Sequence, residues 1–431
     1  MRRKKERLQV LFLLFFFLIP HFFSATEKDS LDLNRCYHLA LERSESMANQ
    51  DELLIQAEEQ IHQGYAALYP NIQLAAAFFK QETPESAIGA SFFPSDQTTL
   101  RLSIRQPLFQ GFRDLAALAN RKAGKRALES AKSQARFQLF QDVAQAFYTL
   151  LGLEYDLKNF INEMESLEKR KQELESLKKA ARARQTDIVA IDTSLANLKA
   201  TLTNTRKLYA ISWETFSFLT GLFSDSALSD TNHVPSSLPE LETWLSQVDN
   251  RPDIQQAQYN NDAAKEALAV AKGASLPIID TIGNTYLQRP GIVSNVKWDI
   301  QLNVTFPLFS AGYLDAQVRE AESKKRQADI AVSQSKKWAE REIRIQYKIV
   351  ENDREELRSL SKAVELSWQN YDYLLRDNKE GLVTNLEVIH ALTNAHQIQR
   401  AYDRSHMTAK YNYIRLLVAA AKTESIIKEG R

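Results

Sequence analysis

The sequence is poor in the residues that break helices and in those that bind metals or form disulfides. Its 431 residues include 12 glycines and 11 prolines, too few for a loop-rich enzyme with many turns. A single cysteine, Cys36, excludes an intramolecular disulfide and a cysteine metal cluster. The formal net charge of +1 lacks the basic excess of a dedicated nucleic-acid surface, so no nucleic-acid partner is expected. This composition favours long helices.

Long apolar runs are also scarce, and the one that exists lies at the N-terminus. A basic head is followed by an apolar stretch from Leu8 to Phe23, which predicts a secretory signal peptide over residues 1–25. An uncleaved membrane anchor is the alternative. No later stretch approaches the roughly 20 apolar residues that a spanning helix requires. We therefore expect an exported chain that can cross a membrane only with strands.

The chain contains one pattern twice. Gln106–Phe109 recurs as Phe306–Phe309 at an offset of 200, and Thr186–Val189 matches Leu386–Ile389 at the same offset. Such ordered recurrence predicts two structural repeats, 26–221 and 251–422. Between them lies an irregular segment at 222–250, expected to form a belt around the helices, and residues 423–431 form a tail.

Each repeat contains two stretches with strand character. The clearest runs over 296–306, where apolar Val296, Trp298 and Ile300 alternate with polar neighbours for eleven residues. This length and period are typical of a transmembrane β-strand. Further strands are predicted at about 71–81, 98–107 and 278–288. A four-stranded water-soluble sheet is the alternative, although it leaves the export signal unexplained.

Two very long helices are predicted at about 112–180 and 311–380, where proline is absent. At about 1.5 Å per residue each would measure roughly 100 Å, so these helices must pack lengthwise, as in a coiled coil. We expect the charged face from Glu163 to Lys179 to be solvated. Near the middle of the helices, a core is predicted that contains Trp213, Phe216 and Phe218.

Four strands cannot close a membrane barrel, and an open sheet edge in lipid leaves backbone groups unpaired. The chain must therefore pool strands with copies of itself, and a trimer with twelve strands is the natural solution. The apolar face would meet outer-membrane lipid. The polar face would line a wet lumen with Arg101, Arg105, Lys297, Asp299, Gln301 and Asn303.

An ordered set of motifs resembles the TolC family of outer-membrane channel proteins. The set comprises Leu68–Pro70, Gln106–Phe109, Arg251–Ile254, Leu276-Pro277 and Gly381–Ala391. The resemblance implies an α+β membrane protein: a long α-helical coiled-coil barrel joined to a transmembrane β-barrel, closed as a homotrimer. It further implies a passive exit duct for efflux or type I secretion. Its partners would be an inner-membrane pump and a periplasmic adaptor (membrane fusion protein).

The same resemblance places a gate at the periplasmic tip, where the two helices of each repeat meet. The tip turns would then contain Ala181, Gly381 and Thr384, and the constriction would contain Asp187, Glu387 and His390. Glu387 and His390 lie three residues apart, on one helix face. Three such glutamates would attract cations, and His390 would add positive charge on acidification. A helix-surface pair against a neighbouring helix is the alternative.

Two arginines occupy the first tip junction. Arg182 and Arg184 are candidates for holding the tip shut by pairing with an acidic residue of a neighbouring chain; ordinary solvated charges are the alternative.

No glycine-rich phosphate loop, Gly-x-Ser-x-Gly or His-Glu-x-x-His motif is present, so we expect no enzyme, no cofactor and no metal site. The main rival is an exported coiled-coil adaptor or scaffold without a pore. A second rival, a soluble helical enzyme, has no candidate site.

Overall fold

The computed structural model describes residues 31–82, 94–180, 183–223 and 226–423. Residues 1–25, Ala181, Arg182 and the tail beyond residue 423 lie outside them. Within these ranges the elements follow in the order α1 (Leu33–Arg43), α2 (Glu45–Ala66), β1 (Asn71–Lys80), β2 (Asp96–Phe109), α3 (Arg113–Lys179), α4 (Gln185–Thr220), α5 (Leu241–Leu245), α6 (Pro252–Gly273), β3 (Ile278–Gln288), β4 (Trp298–Thr305), α7 (Tyr313–Lys379) and α8 (Asn385–Ala419).

The repeat is visible in the helices. Helices α3 and α7 each contain 67 residues and begin 200 residues apart, as do the starts of α4 and α8. At 1.5 Å per residue, each long helix spans about 100 Å. Each pairs with the shorter helix that follows it, α3 with α4 and α7 with α8, and α3 also packs against α8. One chain therefore contributes two helical hairpins that lie side by side. Among the described residues, no helix combines the length and the apolar character needed to span a membrane.

The four strands form one antiparallel sheet in the order β1-β2-β3-β4. Its register pairs Ser103 with Asn284 and Asn284 with Asp299. Directly opposed residues share a face, and each strand alternates between the two faces. One face is polar, whereas the other exposes aliphatic side chains: Ile300 is 71% and Leu302 64% exposed. Among the residues that the structure describes, the outermost strands, β1 and β4, pair with no further strand.

The passage from sheet to helix depends on two glycines. Gly111 follows β2 with φ of +65°, and a Cβ there would lie 2.4 Å from the carbonyl oxygen of Gly273 at the end of α6. A Cβ on Gly273 would lie 2.3 Å from the carbonyl oxygen of Gly111. The two backbones thus touch where only glycine fits. This contact fixes the place where the first long helix leaves the sheet.

In the part of the chain that the structure describes, three apolar clusters stabilise the helices. One in mid-helix surrounds Phe140, Phe147 and Phe216, and includes the buried Cys36. A second packs the segment around Trp244 against α7 and α8, and a third lies towards the tip around Leu167 and Leu174. Trp213 and Phe216 are buried as predicted. The prediction for Phe218 is wrong: its side chain is 81% exposed, because it projects from the opposite side of α4.

The segment between the repeats is tied to the helices by polar contacts. Leu31 forms a parallel β-bridge with Leu228, and Asp230 forms an ion pair with the buried Lys410 of α8. Asp230 also accepts hydrogen bonds from the Tyr148 hydroxyl (3.3 Å) and the Asn232 backbone N–H (3.1 Å). Within this segment α5 and a short 3₁₀ turn, Val248–Asn250, are regular.

Candidate functional site

The end of the hairpins opposite the sheet contains the two junctions between long and short helices. At the second junction, α7 ends at Lys379 and the chain turns at Gly381, whose φ is +81°. The N–H of Gly381 donates to the carbonyl oxygen of Asn378 (3.1 Å), and that of Leu382 donates to Asp377 (3.0 Å). This is the left-handed glycine ending expected after a helix, and it leaves α8 antiparallel to α7.

Thr384 and Glu387 together begin helix α8. The Thr384 backbone N–H and hydroxyl donate to Oε2 of Glu387 at 2.7 and 2.8 Å, and the Glu387 N–H donates back to the Thr384 hydroxyl at 3.4 Å. This reciprocal capping box satisfies backbone groups that a helix start leaves open. The hydrogen bond from the Thr384 backbone, followed by that from its hydroxyl, lowers the pKa of Glu387. The Glu387 carboxylate is therefore exposed, and its hydrogen bonds favour the ionised form.

Asp187 occupies the equivalent place at the start of α4. Its Oδ2 accepts a hydrogen bond from the Arg184 backbone N–H (3.1 Å) and one from Nδ2 of Asn385 (3.4 Å). The second bond links α4 to α8, so it joins the two hairpins at the tip. Arg184 is exposed, and so is His390, whose carbonyl oxygen accepts a hydrogen bond from Thr393 (3.1 Å). The structure therefore brings Asp187 and Arg184 to one junction and Thr384, Glu387 and His390 to the other.

A buried arginine joins these junctions, and it was not among the predicted site residues. Arg170 of α3 is 5% exposed; its Nη1 donates to Glu173 at 2.9 Å, and its Nη2 to the side-chain oxygens of Asn378 and Asn385. Asn378 in turn donates to the carbonyl oxygen of Val383 (2.9 Å). A cleft of about 1270 Å³ opens beside this network, lined among others by Arg184, Asp187, Gly381 and Thr384.

Farther from the tip, two carboxylates on the same helix are also buried. Glu163 pairs with Arg400, and Asp156 accepts from Nε of Arg404 at 2.7 Å. Burial raises the pKa of Glu163 and of Asp156, and the arginines oppose this effect. The expectation that the face from Glu163 onward is solvated is therefore wrong at Glu163 and Arg170. The polar sequence of this face did not reveal that α8, more than 200 residues later in the chain, supplies Arg400 and Asn385 as partners.

The polar face of the sheet forms a second cluster. The register places Arg101, Arg105, Asp299, Gln301 and Asn303 on this face, and the Lys297 carbonyl oxygen accepts from Tyr286 N–H (2.8 Å). Two residues of β3 that the sequence did not single out, Asp280 and Asn284, connect these side chains. Two sets of contacts do so: Asp280 accepts from Arg105 (3.3 Å) and Asn303 (3.4 Å), and Asn284 donates to Asp299 (2.8 Å). On this face Arg105 is thus paired with Asp280, and the Asp299 carboxylate is held by Asn284.

Comparison with known proteins identifies the family. The sequence model described as "Outer membrane efflux protein" matches residues 36–221 and 246–419, which include both repeats. The chain belongs to the outer membrane efflux protein family. Members of this family are outer-membrane channels, so neither an enzyme nor a poreless scaffold is favoured.

Individual members of the outer membrane efflux protein family agree with this assignment. The efflux protein BepC of Brucella suis is 23% identical over 321 residues, covering 70% of this chain and 67% of its own. VceC of Vibrio cholerae superimposes with a TM-score of 0.79 at 19% identity, over 90% of this chain and 95% of its own. The CmeC channel of Campylobacter jejuni superimposes with a TM-score of 0.78 at 16% identity, over 90% of this chain and 85% of its own. The predicted combination of long helices with four strands per chain is confirmed, and the structure shows that these strands form one antiparallel sheet.

Proposed function

We propose that this outer-membrane efflux channel protein works as a homotrimeric, passive exit duct that spans the outer membrane and the periplasm. The observation that carries this proposal is the sheet, which has one exposed aliphatic face, one polar face and two open edges. Lipid tolerates such edges only if they are closed by other strands. Three copies supply twelve strands, a number within the range of outer-membrane barrels. Arg101, Arg105, Lys297, Asp299, Gln301 and Asn303 then line its lumen.

The helical hairpins continue this barrel as a tunnel, and its tip meets a periplasmic adaptor and an inner-membrane pump. The chain itself supplies no energy in this arrangement. Residues 1–25 serve as a cleaved export signal. The test is the native mass of the detergent-extracted protein, corrected for bound detergent. We expect the mass of three chains; a monomer, or a protein that needs no detergent, would contradict the duct.

Within the duct, we infer that Asp187, Glu387 and His390 surround the constriction at the tip. The capped Glu387 carboxylate supports this role, because it is exposed and held ionised at the start of α8. Acidification adds positive charge to the exposed imidazole beside it and reduces cation selectivity. We expect the cation-to-anion permeability ratio to fall between pH 8 and pH 5.5. A His390→Gln channel should lose that pH dependence, and a ratio that is constant in the native channel would exclude this role of His390.

The exposed Arg184, together with Arg182, is proposed to hold the tip shut by pairing with an acidic residue of the neighbouring chain. Arg182→Ser with Arg184→Ser should then raise single-channel conductance in planar bilayers. Lys178→Ser with Lys179→Ser removes the same charge from the end of α3 and serves as the control. Equal conductance in both double variants would mean that Arg182 and Arg184 are ordinary solvated charges and do not hold the tip shut.

A further inference from the structure

The charges on the polar face of the sheet are unevenly distributed along the strands. At the end near the helices, Arg105 has a carboxylate of its own, Asp280, at 3.3 Å. The other charged residues that the structure places on this face lie towards the opposite end, where β1 and β2 are joined and where β3 and β4 are joined. They are called here the mouth cluster: Arg101, Arg289, Lys297 and Asp299.

The three basic residues of the mouth cluster surround the ring of Tyr286. Arg101 lies directly opposite Tyr286 on β2, and on the other side the Tyr286 N–H donates to the carbonyl oxygen of Lys297 (2.8 Å). Because neighbouring strands lie about 4.8 Å apart, the backbones of Arg101 and Lys297 are separated by roughly 10 Å. The Arg289 guanidinium lies over the Tyr286 ring, 4.1 Å from its centroid. Three basic side chains therefore share one aromatic ring at their centre.

The single carboxylate of the mouth cluster does not neutralise these bases. Asp299 forms an ion pair with Arg289 at 3.7 Å, and Arg101 acts on its charge from farther away. Lys297 donates to the carbonyl oxygen of Ser294 (3.1 Å), which carries no formal charge. Both Arg101 and Lys297 are exposed, and within the part of the chain that the structure describes neither forms an ion pair. The cluster of each chain thus retains a positive excess.

The consequence of this excess depends on the proposed duct. Three copies would place three mouth clusters around one lumen, at the end remote from the helical tip. Like charges that line one water-filled passage add their potentials, so they repel cations and concentrate anions. Guanidinium groups also bind the oxygens of phosphate, sulfate and carboxylate through paired N–H donors.

We propose that the mouth cluster is an anion-binding site, that its ligand is a multivalent oxyanion in the lumen, and that the duct favours anionic cargo at its outer end. Lipid headgroups contain the same oxyanions. The cluster, however, lies on the face opposite Ile300 and Leu302, which the duct directs towards lipid. The two ends of the duct then have opposite charge, because Glu387 at the tip attracts cations. A single permeability ratio mixes both ends, so each end has to be tested separately.

Calorimetric titration of the detergent-extracted trimer with inorganic tripolyphosphate tests the site without requiring an open tip. Arg101→Gln with Lys297→Gln should weaken binding about tenfold at low salt, because two exposed charge contacts are lost. High salt should weaken binding to the native protein as well. Arg101→Lys with Lys297→Arg preserves both charges and should preserve binding.

A matched pair of lysines separates the polar face from the general charge of the barrel. Lys297→Gln should weaken the binding of tripolyphosphate. Lys80→Gln should leave it unchanged, because Lys80 lies at the same end of the sheet but opposite Asp96 on the aliphatic face. If the double glutamine variant does not assemble, this pair of single variants decides the question.

Planar bilayers then locate the site. Protein is added to one compartment, so that the helices remain there and the sheet opens to the other. Tripolyphosphate in the compartment of the sheet should lower the conductance of the native channel, and the effect should be lost in Arg101→Gln with Lys297→Gln. Spermine, a polycation, should have no such effect from that compartment.

Three results would overturn the inference while leaving the duct intact. They are a trimer that binds tripolyphosphate equally with and without Arg101 and Lys297, a channel that tripolyphosphate affects only from the compartment of the helices, and a channel that spermine blocks from the compartment of the sheet. A monomeric native mass would instead overturn the proposed duct, and it is measured before any titration.

Discussion

A buried carboxylate that depends on a partly exposed arginine makes stability sensitive to pH. Asp156 is 3% exposed, and Arg404 donates to both of its oxygens at 3.0 and 2.7 Å. Burial is the largest cause that raises the pKa of Asp156, and the hydrogen bond from Arg404 is the largest that lowers it. The arginine thus makes the ionised form tolerable in a place where solvent cannot reach it.

We predict that Arg404→Gln lowers the apparent melting temperature at pH 8, by an amount that corresponds to about 1–3 kcal/mol for a buried acceptor without its partner. The folded-state pKa of Asp156 then rises further above its unfolded value. As the pH falls, the folded state therefore takes up a proton at a higher pH than the unfolded state does, so acidification stabilises the folded state. The deficit should shrink at pH 5, as measured by thermal circular dichroism. Arg404→Gln with Asp156→Asn should show no such recovery; a deficit equal at both pH values would exclude this account.

The capping pair at the tip provides a second prediction for single residues. Thr384→Ala removes the hydroxyl that accepts from the Glu387 N–H and donates to its carboxylate. Loss of such an N-cap costs about 1 kcal/mol, so the first turn of α8 should open more often. Hydrogen exchange of the Glu387 and Val388 amides, which donate to Thr384, should accelerate about fivefold. Thr384→Ser keeps the hydroxyl and serves as the control; equal exchange in both variants would show that the cap is dispensable.

At the scale of elements, the sequence was informative wherever a pattern is local or repeated. The alternation at 296–306 predicted β4, and the recurrence of Gln106–Phe109 at 306–309 predicted the 200-residue offset of the long helices. Helix length followed from the absence of proline. These features depend on neighbouring residues along the chain, so one sequence suffices to see them.

Contacts between distant elements could not be predicted in this way. Glu163 and Arg170 resemble ordinary solvated helix residues until α8 is placed beside them. Asp280 is inconspicuous because β3 has Thr281, Gly283 and Thr285 on its other face and therefore alternates weakly. Phe218, in contrast, could have been assigned correctly. It lies five positions from Trp213, which places it about 140° around the helix and away from the core.

The tether of the segment between the repeats leads to a prediction at this scale. Lys410 is buried and the Asp230 side chain is 11% exposed, so Asp230→Ala leaves a buried ammonium group without its partner and releases the segment that follows Leu228. The cost should be about 3–5 kcal/mol, which is typical when one member of a buried pair is removed. We expect faster hydrogen exchange at 226–236 and new cleavage there by protease. Asp230→Asn with Lys410→Met removes both charges and should restore much of the protection; equal exchange in the native protein and Asp230→Ala would contradict the tether.

For the whole molecule, the proposed duct gives the two faces of the sheet different surroundings. One face exposes aliphatic side chains such as Ile300 and Leu302, whereas on the opposite face Arg105 pairs with Asp280 and Asn284 donates to Asp299. The same division continues in the helices, where polar pairs join the hairpins of one chain and exposed apolar side chains such as Ile211 and Ile345 remain. The aliphatic face of the sheet and the exposed apolar side chains of the helices are both surfaces that a single chain leaves in contact with water. Lipid and neighbouring chains would cover them in the proposed duct.

Adjacent residues of β4 test this orientation. Ile300→Lys places an ammonium group on the aliphatic face, and Gln301→Lys places the same group on the polar face one position along. If the aliphatic face meets lipid, Ile300→Lys should cost up to about 2–4 kcal/mol near the bilayer midplane, while Gln301→Lys faces water. We therefore expect Ile300→Lys to be depleted from the outer-membrane fraction and to melt at lower temperature, and Gln301→Lys to resemble the native protein. The reverse order would mean that the polar face meets lipid, which would require the paired charges of Arg105 and Asp280 to be buried in hydrocarbon.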